Sequence, residues 1–407
     1  MMLAWKTALY AAMLAAAGLP LYIHLPQFAV SGLGIPLTTL GTILIAIRVF
    51  DFLQDPALGW LVDRRPAARP LFAGLASSGL ALGFAMLFAV APPIRPGIWL
   101  ILSLILVFTS YSLATILVYG QSVTIGERPG SGGQFRIAGF REAGMMAGVI
   151  LAAVAPSLFA AVGLDPYRAL GWTLAGCALL VWAASRDLWR LSRPAPSTLS
   201  LSALHAAGGS RLLLLALANA LPVALTSTLF LFFVEDRLAL GGKAGVFLVL
   251  FFAAAGITAP IWSSAATRFG VRPVLVTAML LSVAAFIGAA FLPAGQAQGF
   301  ALICLASGAA LGADMALLPA LFSGLLSARG LPTGQAFGLW AFVSKSALAL
   351  AAVVALPFLD LVGYRPGASN TAEALAALNF AYAVLPCLLK LIVITLVLKL
   401  PEKVIAT

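Results

Sequence analysis

Three ionisable residues interrupt the otherwise apolar stretch IAIRVFDFLQDPALGWLVDRR (45–65): Arg48, Asp51 and Asp55. Spacings of three, four and seven residues place them on one face of a helix. A charged side chain in the middle of a membrane helix costs roughly 2.5–3.5 kcal/mol, so three together require compensation. A bridge from Arg48 to Asp51 would account for one carboxylate and leave Asp55 over. Two carboxylates at i and i+4 repel unless a proton or a cation lies between them. Na⁺, like the larger hard cations, takes oxygen ligands. The pattern therefore admits two readings: a coupling-ion site in which Asp51 and Asp55 bind Na⁺ or H⁺, and a structural charge network.

Other polar residues stand alone in apolar runs. Lys345 is the only charge in LWAFVSKSALALAAVVA, and Asp314 the only one in LASGAALGADMALLPALF. An isolated charge in a span needs a partner. Lys345 can pair with Asp314 as a structural counter-ion or with the acids of the second helix when the coupling ion is absent. Tyr22, His24, Gln27, Tyr111, Tyr119 and Trp340 are candidates for a substrate cavity, with helix packing as the competing role. His24 is also a candidate proton site. Lys390, near the end of the last helix, is expected to snorkel to the interface.

These residues belong to a chain built for lipid. Of 407 residues, 62% are hydrophobic and 9% charged, with a mean hydropathy of +1.07. Soluble domains carry roughly 25% charged residues. Apolar runs recur along the whole chain, each long enough for a bilayer core of about 30 Å. Twelve spans are expected, near 5–30, 36–60, 70–91, 98–120, 138–163, 166–186, 212–234, 243–266, 272–293, 297–326, 334–359 and 372–399. The first has the look of a signal peptide but is too long for a cleaved apolar region, and is read as helix one. The longest polar interruption, Ser185 to Arg211, falls near the middle. The expected organisation is an N-terminal six-helix bundle (1–185), a cytoplasmic linker (186–211) and a C-terminal six-helix bundle (212–407).

The net charge of +11 is not a nucleic-acid footprint, because the cations are scattered between spans without a basic tail or aromatic-interleaved patch. Sixteen of the 24 Lys and Arg fall in loops on one side and five on the other; Arg48, Lys345 and Lys390 lie within spans. That bias puts both termini in the cytoplasm. The halves echo each other at an offset near 200: Pro20 with Pro222, Arg64 with Arg268, Gln134 with Gln335. Repeated six-helix halves are an architecture of transporters. The three cysteines show neither metal spacing nor a disulfide framework. No HExxH, GxSxG or nucleotide-binding loop occurs, which argues against an enzyme and against nucleotide-driven transport.

RVFDFLQDPALGWLVDR, with its Arg, Asp, Asp-Pro, Gly and Asp-Arg, resembles the second-helix signature of the glycoside–pentoside–hexuronide:cation symporters of the major facilitator superfamily. FGLWAFVSKSALALA resembles that family's eleventh helix. The resemblance implies Asp51 and Asp55 as ligands of Na⁺, Li⁺ or H⁺, with Lys345 beside them; the residues themselves add Arg48 and Asp314 to the expected charge network. Asp63 with Arg64 resembles the superfamily's conformational loop motif. Together with Arg141 and Arg268 this pair is expected to gate the inner side. Where the family's sugar permease carries an acid and a Trp on helix four, this chain has Leu113 and Leu117, so the pocket reads as less polar.

The expected protein is an all-α, twelve-helix membrane transporter of the major facilitator fold. It would move a small organic solute with Na⁺ or H⁺ by alternating access, without a cofactor, nucleic acid or obligatory protein partner, in a bacterial inner membrane. Two alternatives stay open: a transporter of amphipathic lipid-like or drug-like molecules, and a non-transporting membrane assembly factor.

Overall fold

The computed structural model describes residues 2–129, 132–191, 198–367 and 369–405. It is all-helical over those residues, as lipid requires of a chain that cannot leave backbone groups unpaired. Two compact units form: Met1–Ser200 with Leu326–Phe342, and Leu201–Leu325 with Val343–Thr407. The break after Ser200 falls inside the expected linker. The segment Leu326–Phe342, expected in the C-terminal bundle, instead packs with the first unit.

The first unit contains α1 (Met2–Ser31), α2 (Leu37–Arg64), α3 (Arg69–Phe84), α4 (Pro96–Gly126), α5 (Gly133–Ala161) and α6 (Pro166–Ala184). α7 (Leu201–Ala207) opens the second unit and leads into α8 (Gly209–Phe232), α9 (Ala244–Phe269) and α10 (Val271–Phe286). α11 (Ala297–Ala328) and α12 (Thr333–Leu361) contribute to both units. α13 (Ala372–Asn379) and α14 (Leu385–Leu398) are joined by one wide turn, and α15 (Glu402–Ile405) follows.

Ten helices among the described residues are long and apolar enough to cross a membrane. The expected count of twelve includes two more. The apolar helical run found in α1 is Met2–Gly18, and α2 is 28 residues long but carries Arg48, Asp51 and Asp55 in its middle. The 200-residue echo reappears in the helix boundaries. Arg64 and Arg268 each lie in the last turn of a helix with an internal proline, Pro56 and Pro260. Gln134 and Gln335 sit in the first turn of α5 and α12.

Close packing in lipid relies on small residues that let backbones approach. Gly144 and Gly148 of α5 seat α1: a Cβ there would stand 2.1 Å from the Ala8 carbonyl oxygen and 2.0 Å from that of Ala12. The second unit repeats the device with Gly308 and Gly312 of α11 against Phe251 and Ala255 of α9. Each unit has its own apolar core, around Tyr10, Phe84 and Leu104 in the first and Phe233, Phe300 and Tyr382 in the second.

Candidate functional site

α2 crosses the first unit with its acids turned inward. Asp55 is 0% and Asp51 3% exposed. The Asp51 carboxylate accepts from Ser112 Oγ of α4 at 3.0 Å and from Gln54 Nε2 at 3.1 Å. Thr109 Oγ1 of α4 in turn donates to Gln54 Oε1 at 2.8 Å. The α2–α4 face thus gathers the Asp51 carboxylate, an amide and two hydroxyls, an oxygen-rich set suited to a hard cation or a proton, with the buried Asp55 one turn further along α2. Sequence reasoning singled out the acids and missed Ser112, Thr109 and Gln54. Gln54 lies three residues from Asp51, and Thr109 and Ser112 three residues apart on α4, a signal only with α4 already in register. The Arg48 guanidinium is exposed and lies 5.8 Å from the Phe108 ring centroid.

One turn further on, α2 is crossed by the start of α12. A Cβ at Gly59 would stand 2.3 Å from the Gly334 carbonyl oxygen, and one at Gly338 would stand 2.6 Å from that of Asp55. The crossing is pinned by Asp63, which is 5% exposed. Its two carboxylate oxygens accept from the backbone N–H groups of Gly334 at 2.9 Å and Gln335 at 2.6 Å. These are the unsatisfied first-turn donors of α12, where the helix dipole also favours a negative charge. Gln335 Oε1 accepts from the Leu199 N–H at 3.0 Å, and Ser327 donates to Glu127 at 2.5 Å.

The residues expected at the gate lie in different surroundings. Arg64 is exposed over the Trp60 ring at 4.8 Å, and Arg268 is exposed over Phe269 at 5.1 Å. Arg69, not singled out before, is the buried guanidinium near Asp63, at 5% exposure. Arg141 was expected at the inner surface, but it is 1% exposed. It lies well inside α5, which begins at Gly133, and its guanidinium is taken up by partners within the first unit. Arg141 Nε donates to Glu142 Oε1 at 2.9 Å, and its guanidinium lies 3.8 Å from the Tyr119 ring centroid. Tyr119 donates to the same carboxylate at 3.3 Å.

The remaining cavity candidates are scattered. His24 is half-buried, 6.2 Å from the Tyr167 ring, and its Nε2 has no hydrogen-bond partner among the described residues. The side chains of Tyr22 and Gln27 lie outside the described residues. Tyr111 approaches α1 at Gly18, where a Cβ would stand 3.1 Å from its hydroxyl. Trp340 is half-buried on α12 near Phe337, which packs on Tyr119 with ring centroids 5.3 Å apart. Leu113 and Leu117 belong to the apolar core of the first unit.

Lys345 is half-buried on the part of α12 that belongs to the second unit. Of the two pairings open to Lys345 from sequence, with Asp314 or with the acids of α2, the first meets a competitor: the Asp314 carboxylate receives the ammonium of Lys390. Lys390 does not snorkel. It is 4% exposed and also donates to Asn219 Oδ1 at 2.6 Å. The carboxylate and amide inside the bundle draw the charge inward, because an ammonium with two buried acceptors gains more than one lying alone at the interface.

A polytopic helical chain with two repeated halves and buried charges on its second helix has the organisation of a major facilitator transporter. The sequence matches the family described as MFS/sugar transport protein over residues 7–401, and the chain belongs to that family. It is an integral membrane transporter, not an enzyme. Among solved structures it is similar to a bacterial homologue of the iron transporter ferroportin in an outward-facing state. The TM-score is 0.72 at 14% identity, with 98% of each chain covered. A bacterial ferroportin homologue in the outward-facing state with soaked iron gives a TM-score of 0.67 at 15% identity, covering 97% of this chain and 98% of that one. At these identities the likeness is one of fold. No match is found among curated proteins.

Proposed function

We propose that the chain is a twelve-helix, cation-coupled symporter of a small organic solute, with Asp51 and Asp55 as the ligands of Na⁺ or H⁺ and both termini in the cytoplasm. The observation that carries the reading is the burial of two carboxylates four residues apart on α2, at 3% and 0% exposure, with Asp51 accepting from the Ser112 hydroxyl of α4. A bilayer protein keeps two such acids at a cost of several kcal/mol, which a bound cation or proton offsets. Lys345 is retained as the positive group that takes the cation's place when the site is empty. The Asp63 cap on α12 is a natural conformational contact, since the donors it satisfies are left bare whenever it opens.

The experiment is cation-dependent thermal stabilisation of the purified protein at constant ionic strength. Na⁺ or Li⁺, or a fall in pH, should raise the unfolding temperature of wild type, and Asp55→Asn should abolish the response while remaining folded. An equal response in Asp55→Asn would remove the α2 acids from the coupling site. The amphipathic-substrate reading is favoured by Leu113 and Leu117, which leave α4 without the family's acid and ring. Stabilisation by lysolipids and not by soluble solutes would select it.

A further inference from the structure

Deep in the second unit, α8, α11 and α14 bring Asn219, Asp314 and Lys390 together, at 7%, 5% and 4% exposure. The Lys390 ammonium donates to Asn219 Oδ1 at 2.6 Å and to Asp314 Oδ2. A buried ion pair recovers its desolvation cost only when the remaining protons and lone pairs are also satisfied. Here they are not. Asp314 Oδ1 is buried with no hydrogen-bond partner among the described residues. Lys390 has three N–H donors, of which these two acceptors use two.

Both charged groups border a cavity of about 50 Å³, together with Thr226, Ser307, Cys387 and Phe251. A water needs roughly 10–15 Å³ on this measure, so about three to five fit. The hydroxyl protons are already committed: Thr226 donates to the Val223 carbonyl at 3.0 Å and Ser307 to that of Ile303 at 2.6 Å. The hydroxyls can therefore offer the cavity only lone pairs. Acceptors thus outnumber donors, with Asp314 Oδ1 as the strongest and one Lys390 N–H on the other side. A lining of this kind takes a proton-rich occupant. A metal ion is a poor fit, since the cavity has a single carboxylate and an ammonium beside it. The ionisable groups lining it are Asp314 from α11 and Lys390 and Cys387 from α14; α8, α9 and α10 line it with uncharged residues.

We propose that Asp314, Lys390 and the hydrated cavity they border form a proton-exchange site inside the second unit, distinct from the acids of α2. A hydronium in the cavity gives its proton to Asp314 Oδ1: an O–H bond forms, and a neutral water is left. The pair then changes from net zero to one positive charge, carried by Lys390, which keeps its bond to Asn219. Loss of the proton to a cavity water reverses the step. The site works whether the α2 acids bind Na⁺ or H⁺.

Infrared difference spectra of the full-length protein in lipid vesicles, taken between acidic and alkaline buffer, test this directly. Asp55→Asn serves as the background, so that the α2 acid is scored separately. A titrating protonated-carboxyl band should persist in that background, shift in Lys390→Gln and vanish on adding Asp314→Asn. Because Asp314→Asn alone strands the ammonium, the neutral pair Asp314→Asn with Lys390→Gln is measured as well and should lack the same band. A carboxyl band unchanged in the neutral pair, or none titrating in the Asp55→Asn background, overturns the proposal and leaves a permanently ionised structural bridge. Either result is independent of the cation response of Asp55.

Discussion

Asp63 holds the first turn of α12 with both carboxylate oxygens, and Asp63→Ala removes both acceptors at once. Loss of a helix cap costs about 0.5–2 kcal/mol. A carboxylate placed at a partly buried helix N-terminus adds up to ~2 kcal/mol through the dipole. The Gly334 and Gln335 N–H groups are held at 2.9 and 2.6 Å by a residue only 5% exposed, so both contributions apply. Together they put the loss at about 0.5–4 kcal/mol, which by the factor of ten per ~1.4 kcal/mol is roughly a 2- to 700-fold rise in local opening. Hydrogen–deuterium exchange of a peptide covering 333–342 reads that opening directly. Exchange there should accelerate by this factor, while a peptide in the middle of α5 stays unchanged. Asp63→Asn, which keeps one neutral acceptor, should fall between. Exchange in 333–342 that is unaltered in Asp63→Ala would refute the cap as the holding contact and leave the glycine crossing to hold the segment alone.

Gly59→Ala should loosen the same crossing from the other side, because its Cβ would lie 2.3 Å from a backbone oxygen that no side-chain rotation can move. A fall in unfolding temperature corresponding to about 1–3 kcal/mol is expected, measured by thermal scanning in detergent. Lys6 donates to Asp187 at 2.7 Å and holds its carboxyl below the usual carboxylate range. A depressed folded-state value means that the pair's contribution is present above the unfolded carboxylate range and lost as pH falls through the lower folded value. Lys6→Gln should therefore flatten the acid limb of the stability–pH curve. For topology, a single cysteine at the exposed Thr198, in a chain with Cys177, Cys304 and Cys387 replaced by Ser, should resist impermeant thiol reagents in intact cells; ready labelling would invert the orientation.

Most of the helical plan could be read from residues because lipid imposes it: each span needs a continuous apolar run, and the interruptions then mark the loops. The α2 acids could be read for the same reason, since a charge in such a run is conspicuous. Their partners could not. Ser112 and Thr109 are ordinary in an apolar helix, and only the rotation of α4 turns them toward Asp51 and Gln54. The fate of Lys390 was missed because one-dimensional position suggests an interface residue, while Asn219 and Asp314 lie 171 and 76 residues away. The packing of Leu326–Phe342 with the first unit was likewise hidden. It depends on Gly59, Gly334 and Gly338 meeting face to face, and glycines are common throughout the chain.

The buried polar groups divide into two kinds, and the division says where the molecule departs from static stability. Ser103, Ser122 and Ser323 each return their hydroxyl proton to a carbonyl one turn back, at 2.8, 2.7 and 2.8 Å, and Tyr10 meets Ser77 at 3.2 Å. Such groups are satisfied where they stand and ask nothing of a ligand. The buried ion pairs are different. Arg141 Nη2 and Glu142 Oε2 in the first unit, and Asp314 Oδ1 in the second, have no hydrogen-bond partner among the described residues. An apolar pair of similar volume would often be as stable or more so, by ~1–4 kcal/mol, than an ion pair with atoms left over. Charges kept at this cost, with one acceptor or donor still open, leave a hydrogen bond for water to complete, and at Asp314 the open oxygen is the one proposed above to take a proton.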